Sequence, residues 1–130
     1  MRLSVLGSTL DLDERFVDAP PETVREQVTE YERGERRAFD LPLAFPDGFT
    51  GRVMRAMCEI PYGETRTYGD LATALGTAPV AVGGACGRNP LPLVVPCHRV
   101  VASDGGLGGY SAADGVACKR RLLDFEGARA

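Results

Sequence analysis

Residues 39–48 read FDLPLAFPDG, and no other stretch constrains the fold of this chain as much. Pro42 and Pro46 each remove a backbone donor and fix φ, and Gly48 follows them. Neither a helix nor a central strand can run through such a segment. The chain is therefore expected to fold in two parts that meet here: a reduced N-terminal lobe over residues 1–47 and a larger domain over residues 48–130. A length of 130 residues suits one domain with a small second lobe. A hydrophobic fraction of 44% with 25% charged residues is ordinary for a soluble protein whose core needs no staples.

In the N-terminal part, RLSVLG alternates apolar and polar residues and predicts a short strand, paired with RFVDAP. Asp18 is placed to cap a helix with Pro20 and Pro21 at its start. Val24, Val28 and Tyr31 then recur at helical spacing, and Gly34 stops the run. Beyond the connector, Phe49, Val53 and Met57 predict a second helix, ended by IPYGE. Thr67 and Asp70 have capping-box spacing and open YGDLATAL, with Leu71, Ala74 and Leu75 on one face. After the turn GTAP, VAVGGACGRN suits another helix, so residues 67–89 form a helix-turn-helix candidate. LPLVV reads as a buried strand entering PCHRV at residues 96–100, and SDGGLGGY as a glycine-rich loop. In GVACKRRLLDFEG, Cys118, Leu122 and Phe125 share a helix face that stops at Gly127. The expected fold class is α/β (α+β): a small strand–helix lobe plus a mainly helical domain carrying a helix-turn-helix and a cysteine-containing turn.

Composition removes several function classes. No apolar run approaches the length of about 18 residues that a membrane span needs. MRLSVLGSTLDLDERF is too acidic and too briefly apolar for a signal peptide, which points to the cytoplasm. Four cysteines (Cys58, Cys86, Cys97, Cys118) lack any Cys-x-x-Cys spacing, and His98 is the one histidine, so a zinc site is poorly supplied. No metal and no cofactor are expected. The cysteines read as reduced thiols, three of them small core residues. Residues 1–48 carry eleven acids against six arginines, and residues 49–130 carry seven acids against nine Lys/Arg, giving −5 and +2. The basic second part could approach a polyanion, although a chance fluctuation explains so few charges equally well. Lys119 is the one lysine in the chain, and the sequence offers no account of it.

Within PCHRV, Cys97 directly precedes that lone histidine. One reading is an activated thiol; the other is a buried cysteine beside a polar turn. An unassisted thiol, with a pKa of about 8.5, is only a few per cent thiolate at neutral pH and needs a neighbouring base. His98 could be that base, yet side chains adjacent in sequence point apart in most backbone conformations.

IPYGETRTYGDLATALG, VGGACGRNPLPLVVPCHRVV, GGLGGYS and KRRLLDFEG follow one another at close spacing. Together they resemble the C-terminal domain of the O6-alkylguanine-DNA alkyltransferases, the methylated-DNA–protein-cysteine methyltransferases, over roughly residues 40–127. The resemblance implies repair by direct reversal, in which Cys97 takes the alkyl group from O6-alkylguanine in double-stranded DNA (O4-alkylthymine being a further candidate) by in-line displacement. Each molecule would act once, as a monomer, with a helix-turn-helix in the minor groove and the base flipped out. It further implies a water between Cys97 and His98, with Glu126 holding the far ring nitrogen; on its own, Glu126 reads as a solvated helix end. By the same resemblance Tyr68 meets the base and the rotated phosphate, and Val100 offers its carbonyl to the guanine amino group. Tyr110 and Ser111 close the pocket, Ser111 donating to O6, and the glycines of GGLGGY let the loop backbone approach a planar ligand. Asn89 is the hinge before the active-site turn, Arg99 a buried structural residue, and Val80, Ala81 and Arg88 belong to the DNA-facing surface.

One position departs from the family. An arginine usually opens the second helix of the helix-turn-helix and fills the gap left by the flipped base; here Val80 stands there, after a shorter turn. Valine can wedge into the stack but cannot hydrogen-bond the orphaned cytosine, so the departure bears on duplex repair and not on thiol chemistry. Two rivals remain at this level. A damage-sensing binder of the alkyltransferase-like kind would lack the cysteine that this chain keeps. A thiol hydrolase or redox sensor built on Cys97, His98 and Glu126 would have no use for the helix-turn-helix.

Overall fold

The computed structural model describes residues 1–104, 106–109 and 115–128. The chain opens with a hairpin in which β1 (Arg2–Val5) pairs antiparallel with β2 (Ser8–Asp11). Its turn, Leu6–Gly7, has φ values of 47° and 81°, and two positive φ angles match the twist of the flanking strands. RFVDAP does not supply the second strand: Glu14–Phe16 form a 3₁₀ turn capped by Asp13, and Val17 makes an isolated bridge to Leu43. STLD takes the pairing because this register puts Leu10 and Ser8 on the face that Leu3 and Val5 bury.

Helix α1 (Pro21–Glu32) begins at Pro20, with no side-chain cap, so Asp18 is not its N-cap. Asp18 lies too far upstream to reach the first-turn donors, and Pro21 enters a position whose N–H would be unpaired in any case. Val24, Val28 and Tyr31 are buried, as the periodicity predicts. The connector is tied to α1 by Gln27, whose side-chain amide donates to Asp40 O and accepts from Asp40 N, both at 2.9 Å.

Helix α2 (Phe49–Cys58) buries Val53, Met54 and Met57. Strand β3 (Arg66–Thr67) leads into α3 (Tyr68–Leu75), which opens with the capping box: Asp70 N donates to Thr67 Oγ1 and Thr67 N to Asp70 Oδ2, each at 2.9 Å. Gly76 ends α3 at φ 68°, and α4 (Pro79–Gly87) follows after a short turn, completing the helix-turn-helix. LPLVV is not a strand. Pro90, Pro92 and Pro96 deprive it of ladder donors, and it folds instead into a tight buried loop, with Val95 N donating to Leu91 O at 2.8 Å and Leu93 at φ 76°. A 3₁₀ turn over Cys97–Arg99 runs into β4 (Val100–Val101), which pairs parallel with β3. The last helix, α5 (Val116–Glu126), stops at Gly127 with φ 76°.

Most buried apolar side chains form one cluster that runs from Leu3 and Leu10 through Val24, Val53 and Met57 to Leu122. The core is thus continuous across the connector. Among the described residues no helix is long and apolar enough to cross a membrane.

Gly51 shows how closely the connector lies on α2: a Cβ there would sit 1.9 Å from Pro46 O. Alanine would gain up to about 1 kcal/mol of helix propensity, but a clash with backbone oxygen costs about 1–3 kcal/mol or more, and the clash should win. Gly51→Ala is therefore expected to lower the urea midpoint at unchanged m-value; an unchanged or raised midpoint would contradict this packing.

Candidate active site

The site begins at the hinge after α4. Asn89 Nδ2 donates to Val95 O at 3.0 Å while its Oδ1 accepts from Leu91 N at 3.0 Å, so one side chain fixes both ends of the 91–95 loop. Leu93 at the top of that loop is a non-glycine in the left-handed region, a local strain of about 1–2 kcal/mol that the buried surroundings hold in place. Cys97 N then donates to Val95 O at 2.8 Å, which delivers Cys97, His98 and Arg99 as three consecutive buried residues of the 3₁₀ turn.

His98 is fully buried, and its Nε2 lies 2.9 Å from Glu126 Oε2. Nδ1 is buried and has no hydrogen-bond partner among the described residues. Glu126 is not a solvated helix end: its carboxylate is buried and accepts from four donors. Arg99 approaches in a fork, Nε to Oε1 at 2.9 Å and Nη2 to Oε2 at 3.0 Å, while its Nη1 donates to Ile60 O at 2.7 Å. The fourth donor is Tyr31 on α1, whose hydroxyl reaches Oε2 at 2.8 Å. Burial pushes the Glu126 pKa up, but the donors from His98 and Arg99 outweigh it and bring it down to about 2. Burial pushes the His98 pKa below its ordinary value, and Glu126 opposes this only in part. A carboxylate ion beside a neutral ring fixes the proton on Nε2 and leaves a lone pair on Nδ1.

The other side of the turn faces a cavity of about 720 Å³ lined by Cys97, Tyr68, Val80, Gly83, Gly84 and Cys86, among others. The Cys86 thiol lies 3.6 Å from the Met57 sulfur, and burial pushes its pKa up to about 12, so it stays protonated. Of the three cysteines expected in the core, only Cys118 is fully buried; Cys86 is half-buried and Cys58 exposed. Tyr68 is held against the glycine-rich loop, where a Cβ at Gly108 (φ 73°) would lie 2.7 Å from its ring. That glycine is required by a protein side chain, where the sequence suggested a ligand.

Sequence reasoning left Lys119 without a role and took Tyr31 only as a core position. Lys119 is fully buried, and its ammonium donates to Val100 O at 2.6 Å and Gly109 O at 3.2 Å, with the Tyr68 hydroxyl at 3.4 Å. Burial brings its pKa down to about 8, against the pull of Cys97 and Cys86. The carbonyl of Val100, expected to face a base, thus already accepts a hydrogen bond from a protein side chain. A single lysine three and four positions before Leu122 and Leu123, and so on their helix face, was the available signal. Val80 is 84% exposed at the mouth of the cavity, and Ala81 behind it is half-buried. Arg88 is exposed and donates to Thr50 Oγ1 at 3.2 Å, and Arg66 pairs with Glu64 at 3.1 Å. Tyr110 and Ser111 lie outside the described residues. Among the described residues no three His, Cys, Asp or Glu side chains gather as a metal site.

A helix-turn-helix set beside a cavity, with a cysteine at its wall and a buried histidine–carboxylate pair behind, defines the class: a helix-turn-helix domain with a cysteine-walled pocket. The family described as "6-O-methylguanine DNA methyltransferase, DNA binding domain" matches residues 48–128. A Methanosarcina acetivorans protein named methylated-DNA–protein-cysteine methyltransferase is 43% identical over 97% of this chain and 78% of its own length. Its Methanosarcina barkeri namesake is 49% identical over 77% of the chain. The chain spans 64% of the length of that relative. The Mycobacterium tuberculosis OGT crystallised in complex with DNA superposes with a TM-score of 0.76 at 42% identity, covering 84% of this chain and 70% of its own. The O6-methylguanine-DNA methyltransferase of Pyrococcus kodakaraensis covers 98% of both chains at 28% identity and a TM-score of 0.62. This chain belongs to the O6-methylguanine-DNA methyltransferase family.

The pKa directions fix the sign of an acid response. Glu126 is ionised in the fold well below the pH where it protonates in the unfolded chain, near 4.5, so its stabilisation is complete above that value and lost as pH falls toward about 2. The stability gap between the native protein and Glu126→Gln should therefore narrow between pH 4.5 and 3, by an amount on the order of 1–2 kcal/mol. A gap independent of pH across that range would contradict the ionised assignment.

Proposed function

We propose that this protein repairs alkylated DNA by direct reversal, transferring the alkyl group of O6-alkylguanine to Cys97 in a single turnover. The observation that carries this reading is the 2.9 Å contact between His98 Nε2 and Glu126 Oε2, buried directly behind Cys97 in a chain of this family. Glu126 keeps the proton on Nε2, and the Nδ1 lone pair takes the thiol proton through one water. As the S–C bond forms, the O6–C bond breaks, and guanine leaves with its electron pair and is then protonated. The net change is thiol plus O6-methylguanine giving thioether plus guanine. The carboxylate stabilises the imidazolium that forms in between.

In this reading the flipped base enters the cavity of about 720 Å³ between α4 and the glycine-rich loop, against Tyr68. The Val100 carbonyl accepts from the guanine amino group alongside Lys119. Asn89 and Arg99 hold the turn. Val80, Ala81 and Arg88 form the duplex-facing surface, where the 84% exposure of Val80 leaves it available to wedge into the stack. DNA as partner is supported by the helix-turn-helix and by the likeness to a relative solved in complex with DNA. Residues 1–47 serve as a reduced lobe on the alkyltransferase domain of residues 48–130, and a monomer in the cytoplasm suits four cysteines with no disulfide among the described residues.

The test is a mass measurement after incubation with a duplex containing O6-methylguanine. One methyl is expected on the peptide carrying Cys97, and none from Cys97→Ala, which should still bind DNA. Transfer that survives in Cys97→Ala, or a methyl on Cys86, would overturn the assignment.

A further inference from the structure

The N-terminal part of the chain hydrogen-bonds the candidate carboxylate through Tyr31. Tyr31, from α1, is fully buried and places its hydroxyl 2.8 Å from Glu126 Oε2, the same oxygen that holds His98 Nε2 at 2.9 Å. Aromatic neighbours fix the ring on three sides: Phe39 at 5.7 Å between centroids, Tyr62 at 6.2 Å and Phe125 at 5.3 Å. A carboxylate offers about four lone-pair sites, two on each oxygen; Oε2 takes three donors (Tyr31, His98 and Arg99 Nη2), one more than its lone pairs, while Oε1 takes only Arg99 Nε.

We propose that Tyr31 is a positioning residue of the reaction: by sharing Glu126 Oε2 with His98 it limits the negative charge that His98 feels, and so sets the basicity of the group that deprotonates Cys97. The inference rests on the reading of His98 as the base for Cys97. Three features of the arrangement support it. The Arg99 fork alone already fixes the orientation of the carboxylate, so the tyrosine hydroxyl is not needed to aim it. A donor on Oε2 draws electron density from the oxygen that must stabilise the imidazolium, so its hydrogen bond competes with that of Nε2. Finally, burial and the Glu126 charge keep the phenol protonated, so it acts as a donor throughout.

The groups around the pair from every packed element are known. Arg99 comes from the same turn, Lys119 and Glu126 from α5, Tyr31 from α1, and Tyr62 from the segment after α2, with Arg37 over the Tyr62 ring at 5.2 Å. Of these, the Tyr31 hydroxyl is the group that can be deleted while charge and ring packing stay as they are.

The experiment follows alkylation of Cys97 by iodoacetamide, in which the thiolate displaces iodide, as a function of pH and without DNA. In Tyr31→Phe the plateau rate near neutral pH is expected to rise about threefold, and its acid midpoint, where His98 protonates, to move to higher pH by roughly half a unit. Substituting 3-fluorotyrosine at position 31, a stronger donor of nearly the same shape, should move it the other way and keeps the test open if the phenylalanine variant folds poorly. Val28→Ala loosens the same helix without touching the hydroxyl and should lower Tm with the profile unmoved. A profile unchanged in Tyr31→Phe, a lower plateau with the midpoint moved to lower pH, or an equal shift in Val28→Ala would each overturn the proposal. Methyl uptake from O6-methylguanine DNA is measured beside it. Its absence from a wild type with a normal alkylation profile would remove the DNA-repair reading and leave the Tyr31 inference standing.

Discussion

The buried Glu126 carboxylate is the charge around which the rest of the molecule is arranged. An isolated carboxylate cannot be taken out of water without neutralising itself. Four donors keep it ionised, and they come from separated parts of the chain: Tyr31 from the N-terminal lobe, His98 and Arg99 from the turn after the helix-turn-helix. Removing one partner of such a cluster typically costs about 3–5 kcal/mol because the remaining charge is left uncompensated. This one carboxylate therefore ties α1, through Tyr31, and the 97–99 turn, through His98 and Arg99, to α5.

The reactive face is positioned with equal economy of parts. Asn89 stiffens the loop between α4 and Cys97 from one side, and the parallel β3–β4 pair fixes it from the other, placing the start of α3 beside Val100. Lys119 then draws Val100, Gly109 and Tyr68 toward one buried ammonium. On one side the cavity between α4 and the glycine-rich loop is thus walled by Tyr68 and Gly109, both tied to Lys119. Small residues on α4 keep it open.

Local signals were legible wherever a short-range rule decided the outcome. The Thr67–Asp70 capping box, the buried stripe of Val24, Val28 and Tyr31, and the stop at Gly127 all follow from contacts within a few residues. The misreadings arose where distant partners decided. RFVDAP lost its pairing to STLD, whose register buries Leu10. LPLVV has strand composition, yet its flanking prolines and the Asn89 clamp bend it into a loop. Glu126 looked like an exposed helix end because helical periodicity says nothing of a turn 28 residues earlier in the chain. Tyr31 was recognisable as core, but its hydroxyl finds a partner 95 residues away, and no pattern in one sequence carries that distance.

The catalytic geometry depends on Glu126 holding His98 as a neutral ring with its proton on Nε2 and a basic lone pair on Nδ1. Because His98 is the one histidine in the chain, nitrogen NMR of the imidazole reads that state without ambiguity. At neutral pH the account predicts a protonated Nε2 and an unprotonated Nδ1, persisting as the pH falls below the ordinary histidine value. An imidazolium with both nitrogens protonated at neutral pH, or a ring carrying its proton on Nδ1, would contradict it.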